Sequence, residues 1–310
     1  MQISILLAQQ IAQLFLILIM GYAVVKAGLL KASDSRVLSV VMVYLVTPCV
    51  IINAFQIDDT PEIRKGLLYS MAIAAAIHVV LLVLSALLSR PLKLDAVEQV
   101  NVIYSNAAAL VIPLVKALMG DAYVIYSCAF IIVQLVLLWT HASSLLQGSS
   151  ALDWKKVLTN INMIAIAAGA LLYWFRVVLP APLQNTMSTV GNMMGPMGML
   201  LAGMAIAEKP LREVFCPCRN YLPTVLRLVV CPLVVLVLLW VCHASSWVAD
   251  GKNILMTVYL AAITPACATV TSMAQLYDRD AAHSSALYVL TTLLSIVSMP
   301  VMIGLFDLLL

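Results

Sequence analysis

Long apolar runs separated by short polar stretches fill this chain from end to end. A membrane-crossing helix needs about 20 such residues, and the pattern predicts ten of them. They are expected at Ile3 to Val25, Val37 to Phe55, Leu67 to Leu88, Val97 to Met119, Tyr123 to Leu146, Val157 to Val178, Leu183 to Ala207, Tyr221 to Val241, Ile254 to Leu276 and Ala282 to Leu308. Only short links remain between them, so no extramembrane domain fits. The first run is too long for a signal-peptide core and lacks a basic flank before it, so it is expected to stay in the mature chain.

Composition sharpens the class. Of 310 residues, 64% are hydrophobic and 10% charged, whereas soluble domains carry about 25% charge. The lipid bilayer is therefore the solvent. A net charge of +3, scattered along the chain, gives no basic patch for nucleic acid. Five of the seven cysteines fall in apolar runs, where a thiol acts as a small hydrophobe. Cys216 and Cys218 form an isolated C-x-C in a loop, a weak metal or redox signal. The chain has no P-loop, no G-x-S-x-G elbow, no H-E-x-x-H helix and no loop long enough for a soluble active site. No enzyme and no cofactor is expected.

Basic residues set the orientation, because cytoplasmic loops collect Lys and Arg. Eleven sit on the odd-numbered links: Lys26, Lys31, Arg36, Arg90, Lys93, Lys155, Lys156, Lys209, Arg212, Arg219 and Arg279. Four sit on the other side: Arg64, Lys65, Arg176 and Lys252. Both termini are thus expected outside a cell's plasma (inner) membrane. Residues 1–147 and 148–310 each hold five spans, and an odd number makes the second half start from the opposite side. That is an inverted repeat. The fourth span carries Tyr104, Pro113 and then Asp121; the ninth carries Tyr259, Pro265 and then Asp278 and Asp280. Paired, interrupted spans at corresponding positions point to a transporter binding site near the midplane.

Proline removes an amide and frees the carbonyl four residues back, and in hydrocarbon those groups need other partners. Breaks are therefore expected around Pro113 and Pro265. Asn106 lies seven residues before Pro113 and is followed by three alanines, Ala107 to Ala109; Thr264 to Ser272 reads T-P-A-C-A-T-V-T-S. Small residues let helices cross closely. If the two breaks cross, helix starts would aim amides at one point, a seat for a carboxylate.

The segment Asn106 to Gly120, ending I-P-L-V-K-A-L-M-G, resembles the fourth span of the auxin efflux carrier family. That family includes plant auxin exporters and bacterial permeases for malonate and similar acids. Pro196 to Ala207, P-M-G-M-L-L-A-G-M-A-I-A, resembles its seventh span, and Ala261 to Ala268, A-A-I-T-P-A-C-A, its ninth; Thr291 to Pro300 extends the likeness. The resemblance implies an all-α, ten-helix fold, with spans one, two, six and seven as scaffold and three to five and eight to ten as a mobile transport domain. It maps Asn106, Pro113 and Pro265 onto the crossover. Ala266 stands where plant members often have an amide, Val111 replaces a usual glycine, and the long central loop is missing, which points away from auxin itself.

Around this core the expected substrate-binding residues are Asn106, Ala107, Pro113, Thr264, Pro265, Ala266 and Thr269. Asn101 and Asn53 could line the cavity or bond between helices. Lys116 could attract an anion or snorkel to the interface. His78 and His141 could relay protons, although each is more often a neutral packing residue. Glu98 and Arg227 lie close enough to span ends to be solvated. No adjacent mid-span aspartates are present, which disfavours strong cation coupling. The reading is a secondary carrier for a small organic anion, a mono- or dicarboxylate; an anion channel and a transport-silent sensor or scaffold subunit stand as alternatives. A second copy could dock through the scaffold helices.

Overall fold

Among the described residues the apolar runs become helices. In the computed structural model, residues 2–56, 60–148, 159, 161–207, 212, 215–248 and 250–310 are described. They form α1 (Gln2–Lys26), α2 (Ala32–Asn53), α3 (Pro61–Ser89), α4 (Ala96–Ile103), α5 (Ala107–Met119), α6 (Val124–Gln147) and α7 (Ile161–Trp174). The chain continues through α8 (Ala181–Gly191), α9 (Met194–Ile206), α10 (Cys218–Val241), α11 (Gly251–Ile263), α12 (Ala268–Leu276) and α13 (Ala281–Leu309). Five of them, α2, α3, α6, α10 and α13, are long and apolar enough to cross a membrane by length and composition. Among the described residues the extended structure is one isolated antiparallel bridge, between Ser105 and Ala266. The loop lysines Lys155, Lys156 and Lys209 lie outside the described residues.

Three helices carry a π turn: α2 at Met42–Val46, α6 at Leu138–Ala142 and α10 at Leu226–Val230. The first and last end two residues before a proline, Pro48 and Pro232. Each proline withholds the amide that would close the preceding α-turn, and the helix widens locally. In α2 the Thr47 hydroxyl donates to the Met42 carbonyl at 2.8 Å.

The fourth and ninth apolar runs are split, but not in the same way. In the ninth, Thr264 takes φ −61°, ψ 156°, the extended conformation that a following proline imposes. Pro265 then has no amide to continue α11. The expected break at Pro113 is not found: this residue sits inside α5, and the interruption lies at Tyr104 to Asn106. One missing amide is tolerated within a buried helix. The fourth run instead breaks where neighbouring segments offer its backbone better partners.

α1 packs against α9 with backbones almost touching. A Cβ at Gly203 would lie 2.0 Å from the Leu18 carbonyl oxygen, and one at Gly21 would lie 2.2 Å from that of Leu200. α2 packs on α7 and α8, while α3, α5 and α11 all pack on α6. α13 runs alongside α9, α10 and α12. Gly203→Val is expected to force α1 from α9 and to cost about 1–3 kcal/mol or more, as overpacking does. Thermal unfolding in detergent checks this as a lower melting temperature.

Candidate functional site

The two breaks meet. The Asn106 amide donates to the Pro265 carbonyl at 2.8 Å, and the Cys267 amide donates to the Tyr104 carbonyl at 3.1 Å. These reciprocal bonds make Ser105 and Ala266 a facing pair. Side chains complete the set. Gln134 of α6 clasps Ser105: its Oε1 accepts from the Ser105 amide at 3.0 Å and from the Ser105 hydroxyl at 2.6 Å, and its Nε2 donates to the Ser105 carbonyl at 2.8 Å. On the other strand the Ala266 amide donates to the Thr291 hydroxyl of α13 at 3.1 Å. A helix broken in an apolar interior needs such replacements, because each unpaired backbone group costs free energy comparable to a lost hydrogen bond.

The helix ends at the crossover carry opposite partial charges. α4 and α11 finish there, with carbonyls that lack an amide partner in their own helix; α5 and α12 start there, and the Val270 amide of α12 donates back to the Cys267 carbonyl at 3.0 Å. The carbonyl ends are held by Arg227 of α10. Its Nη1 donates to Val102 and Ile103, both at 3.1 Å. Nη2 donates to Ala262 at 2.6 Å and to Thr264 at 2.7 Å, and Nε donates to Thr264 at 3.1 Å. A guanidinium has five N–H groups, so every one is used. Arg227 is only 1% exposed, which corrects the expectation that it is solvated. Among the described residues no carboxylate pairs with it; converging backbone carbonyls stabilise the charge instead.

At the amide ends the residues are small. Ala107 and Ala268 open α5 and α12, and Ala266 lies between the breaks; all are buried. The first amides of each helix have no acceptor within their own helix. Asn106 is buried beside them, with Nδ2 3.4 Å from the Tyr288 hydroxyl. Tyr288 in turn donates to the Met199 sulfur of α9 at 2.9 Å. A Cβ at Gly198 would stand 2.8 Å from Ala268 Cβ, and Ser272 donates to the Met42 sulfur of α2 at 3.2 Å. The start of α12 thus lies against α2 and α9.

The model of a family described as membrane transport protein matches residues 6–157 and 149–303, nearly the whole chain. The chain belongs to this family. It is the auxin efflux carrier family that the sequence resembles, and its members are transporters rather than enzymes. No curated protein matches. The apolar helices and the family together make the chain a multi-pass membrane transport protein.

The other predicted residues of this transporter fall into place around the crossover or away from it. Thr269 is buried in the first turn of α12. Thr264 is buried as well, but its hydroxyl donates to the Ala261 carbonyl at 3.0 Å, so its proton is committed. Asn101 bonds between helices: Nδ2 reaches Val97 O at 2.8 Å and Ser284 Oγ at 3.2 Å, and Ser284 pairs with Thr271 at 3.1 Å. Asn53 ends α2 where that helix packs on α7 and α8, not at the crossover. The side chains of Pro113 and Lys116 lie outside the described residues.

His78 is fully buried, with Nδ1 2.7 Å from the Ala74 carbonyl and its ring against Phe130. His141 contacts the crossover itself, its Nδ1 3.0 Å from the Tyr104 hydroxyl, which also lies 3.0 Å from the Leu137 carbonyl. Glu98 is buried too, against the expectation of solvation. It caps α4 together with Asp95, and Arg219 grips its carboxylate from the start of α10, with Nε donating to Oε1 at 2.7 Å. Arg219 also donates to the Leu92 and Lys93 carbonyls. Cys216 and Cys218 are exposed, free thiols.

Gln134, Tyr288, Thr291 and the role of Arg227 escape the sequence reading. Each is a polar residue within an apolar run, which is a usable signal. Their partners lie in distant segments, which hydropathy does not register.

Proposed function

We propose that this transporter is a secondary carrier for a small organic anion, a mono- or dicarboxylate, working by alternating access. Its ten apolar runs would cross the plasma membrane as a 5+5 inverted repeat, with both termini outside as the basic residues favour. Spans one, two, six and seven would be the scaffold, and spans three to five and eight to ten would move against it. The fifth and tenth runs support the repeat: Gln134 from one serves the first break, and Thr291 from the other serves the second.

The observation that carries the reading is the reciprocal backbone pairing of Asn106 with Pro265 and of Cys267 with Tyr104. It brings the amide ends of α5 and α12 to one place, beside the Asn106 side chain. Helix starts favour anions, and the alanines around them suit a small guest. Ala107, Ala266 and Thr269 would border the carboxylate, Asn106 would bond it, and Thr264, whose proton is already committed, would take no direct part. An anion leaving a cell that is negative inside gains about 2.3 kcal/mol per charge per 100 mV, so export would need no coupled ion.

Flux in liposomes tests this. The purified transporter is expected to give saturable carboxylate movement that is accelerated by the same anion on the far side. Unsaturable flux with single-channel currents would instead mark a channel, and ligand-dependent partner binding without flux a sensor.

A further inference from the structure

Arg227 stands apart from the anion seat. It occupies the opposite pole of the crossover, where α4 and α11 end and no guest amides are offered. Four carbonyl oxygens, those of Val102, Ile103, Ala262 and Thr264, converge there within 2.6 to 3.1 Å of guanidinium nitrogens. Two helix C-termini add partial negative charge, roughly half an elementary charge each. Oxygens from unwound backbone and half-helix C-termini are what hold coupling cations in broken-helix transporters. In this chain an arginine reaches in from α10 and uses all five of its donors on that cradle. The positive charge is therefore covalently fixed, and it is always present.

We propose that the Arg227 guanidinium is a tethered substitute for a coupling cation: it neutralises the carbonyl pole of the crossover, so that anion transport requires no sodium, potassium or other free metal cation. The proposal rests on the carrier reading above and adds to it the ionic requirement. Burial of Arg227 with no carboxylate partner among the described residues supports it, since the charge is balanced by the two strands that must stay crossed during transport. Removing the side chain would leave four buried carbonyls unmatched around a space of cation-binding chemistry. A small soluble cation would then be needed where none was needed before.

Carboxylate flux in liposomes, with sodium, potassium or choline as the cation on both sides, gives the first measurement. Wild-type flux is expected to be equal in all three; a requirement for sodium or potassium overturns the proposal. The second uses Arg227→Ala. In choline its flux is expected to fall roughly tenfold or more, the scale of a lost charged hydrogen-bond set, and millimolar guanidinium is expected to restore much of it. Undiminished flux in choline, or a folded variant that guanidinium does not rescue, overturns the proposal. The third is melting temperature: guanidinium at the same concentration should raise that of Arg227→Ala and leave that of the wild type unchanged. Equal effects on both proteins overturn it. Should Arg227→Ala not fold, the wild-type cation comparison still decides. If no carboxylate moves at all, the carrier reading fails, while the melting measurement continues to test the assignment of Arg227.

Discussion

Asn106→Ala is expected to leave a folded protein whose carboxylate flux is near background. The side chain of Asn106 is buried, and the only bond it makes among the described residues is the long contact to the Tyr288 hydroxyl at 3.4 Å. The backbone bond that closes the crossover comes from the amide of Asn106, which alanine keeps. Loss of the side chain therefore costs the fold little. A carboxylate seated at the starts of α5 and α12 would lose a charge-assisted hydrogen bond, worth about 1.5–3 kcal/mol. That is roughly tenfold to a hundredfold in affinity. The check is a pair of measurements on one preparation, melting temperature and liposome flux. Wild-type flux from the variant would remove Asn106 from the site.

Gln134→Leu should act on the opposite side of the balance, through stability. The leucine is close in size but leaves the Ser105 amide, carbonyl and hydroxyl without the three bonds that Gln134 provides. A buried polar group deprived of its partner costs about 1–3 kcal/mol, so the variant is expected to lose roughly 3 kcal/mol or more. Its melting temperature should fall by several degrees, since 1 kcal/mol moves a large domain by about 2–4 °C. Gln134→Glu provides the comparison. Kept neutral by burial, its carboxylic acid offers an acceptor to the Ser105 amide and hydroxyl and an O–H donor to the carbonyl, and it is expected to lose less. An unchanged melting temperature for Gln134→Leu would mean that the break at Ser105 is held by something else.

These two variants also show what the sequence makes legible. The helical class and the break in the ninth run could be read directly, because Pro265 acts locally: it forces Thr264 extended and withholds its own amide. Asn106 could be read as well, being an N-cap residue type before three alanines. The fourth break could not be placed from Pro113. That proline costs a single amide within α5, whereas Tyr104 to Asn106 gains bonds from Gln134, Pro265 and Cys267, which are remote in the chain. Arg227 and Glu98 looked solvated because they lie near the ends of apolar runs. Their burial depends on carbonyls of α4 and α11 in one case and on Arg219 in the other, 121 residues away. Local preference fixes helices and caps; the polar core of this crossover is a set of long-range pairings.

The seat at the crossover is tested most directly by ligand-dependent melting of the purified wild type and of Asn106→Ala, across a panel of mono- and dicarboxylates. A ligand at about 100 times its dissociation constant stabilises a protein by roughly 2.7 kcal/mol. At least one small carboxylate is expected to raise the melting temperature of the wild type, and to leave that of Asn106→Ala where it was. A panel with no effect on the wild type, or one acid that stabilises both proteins equally, would contradict the assignment.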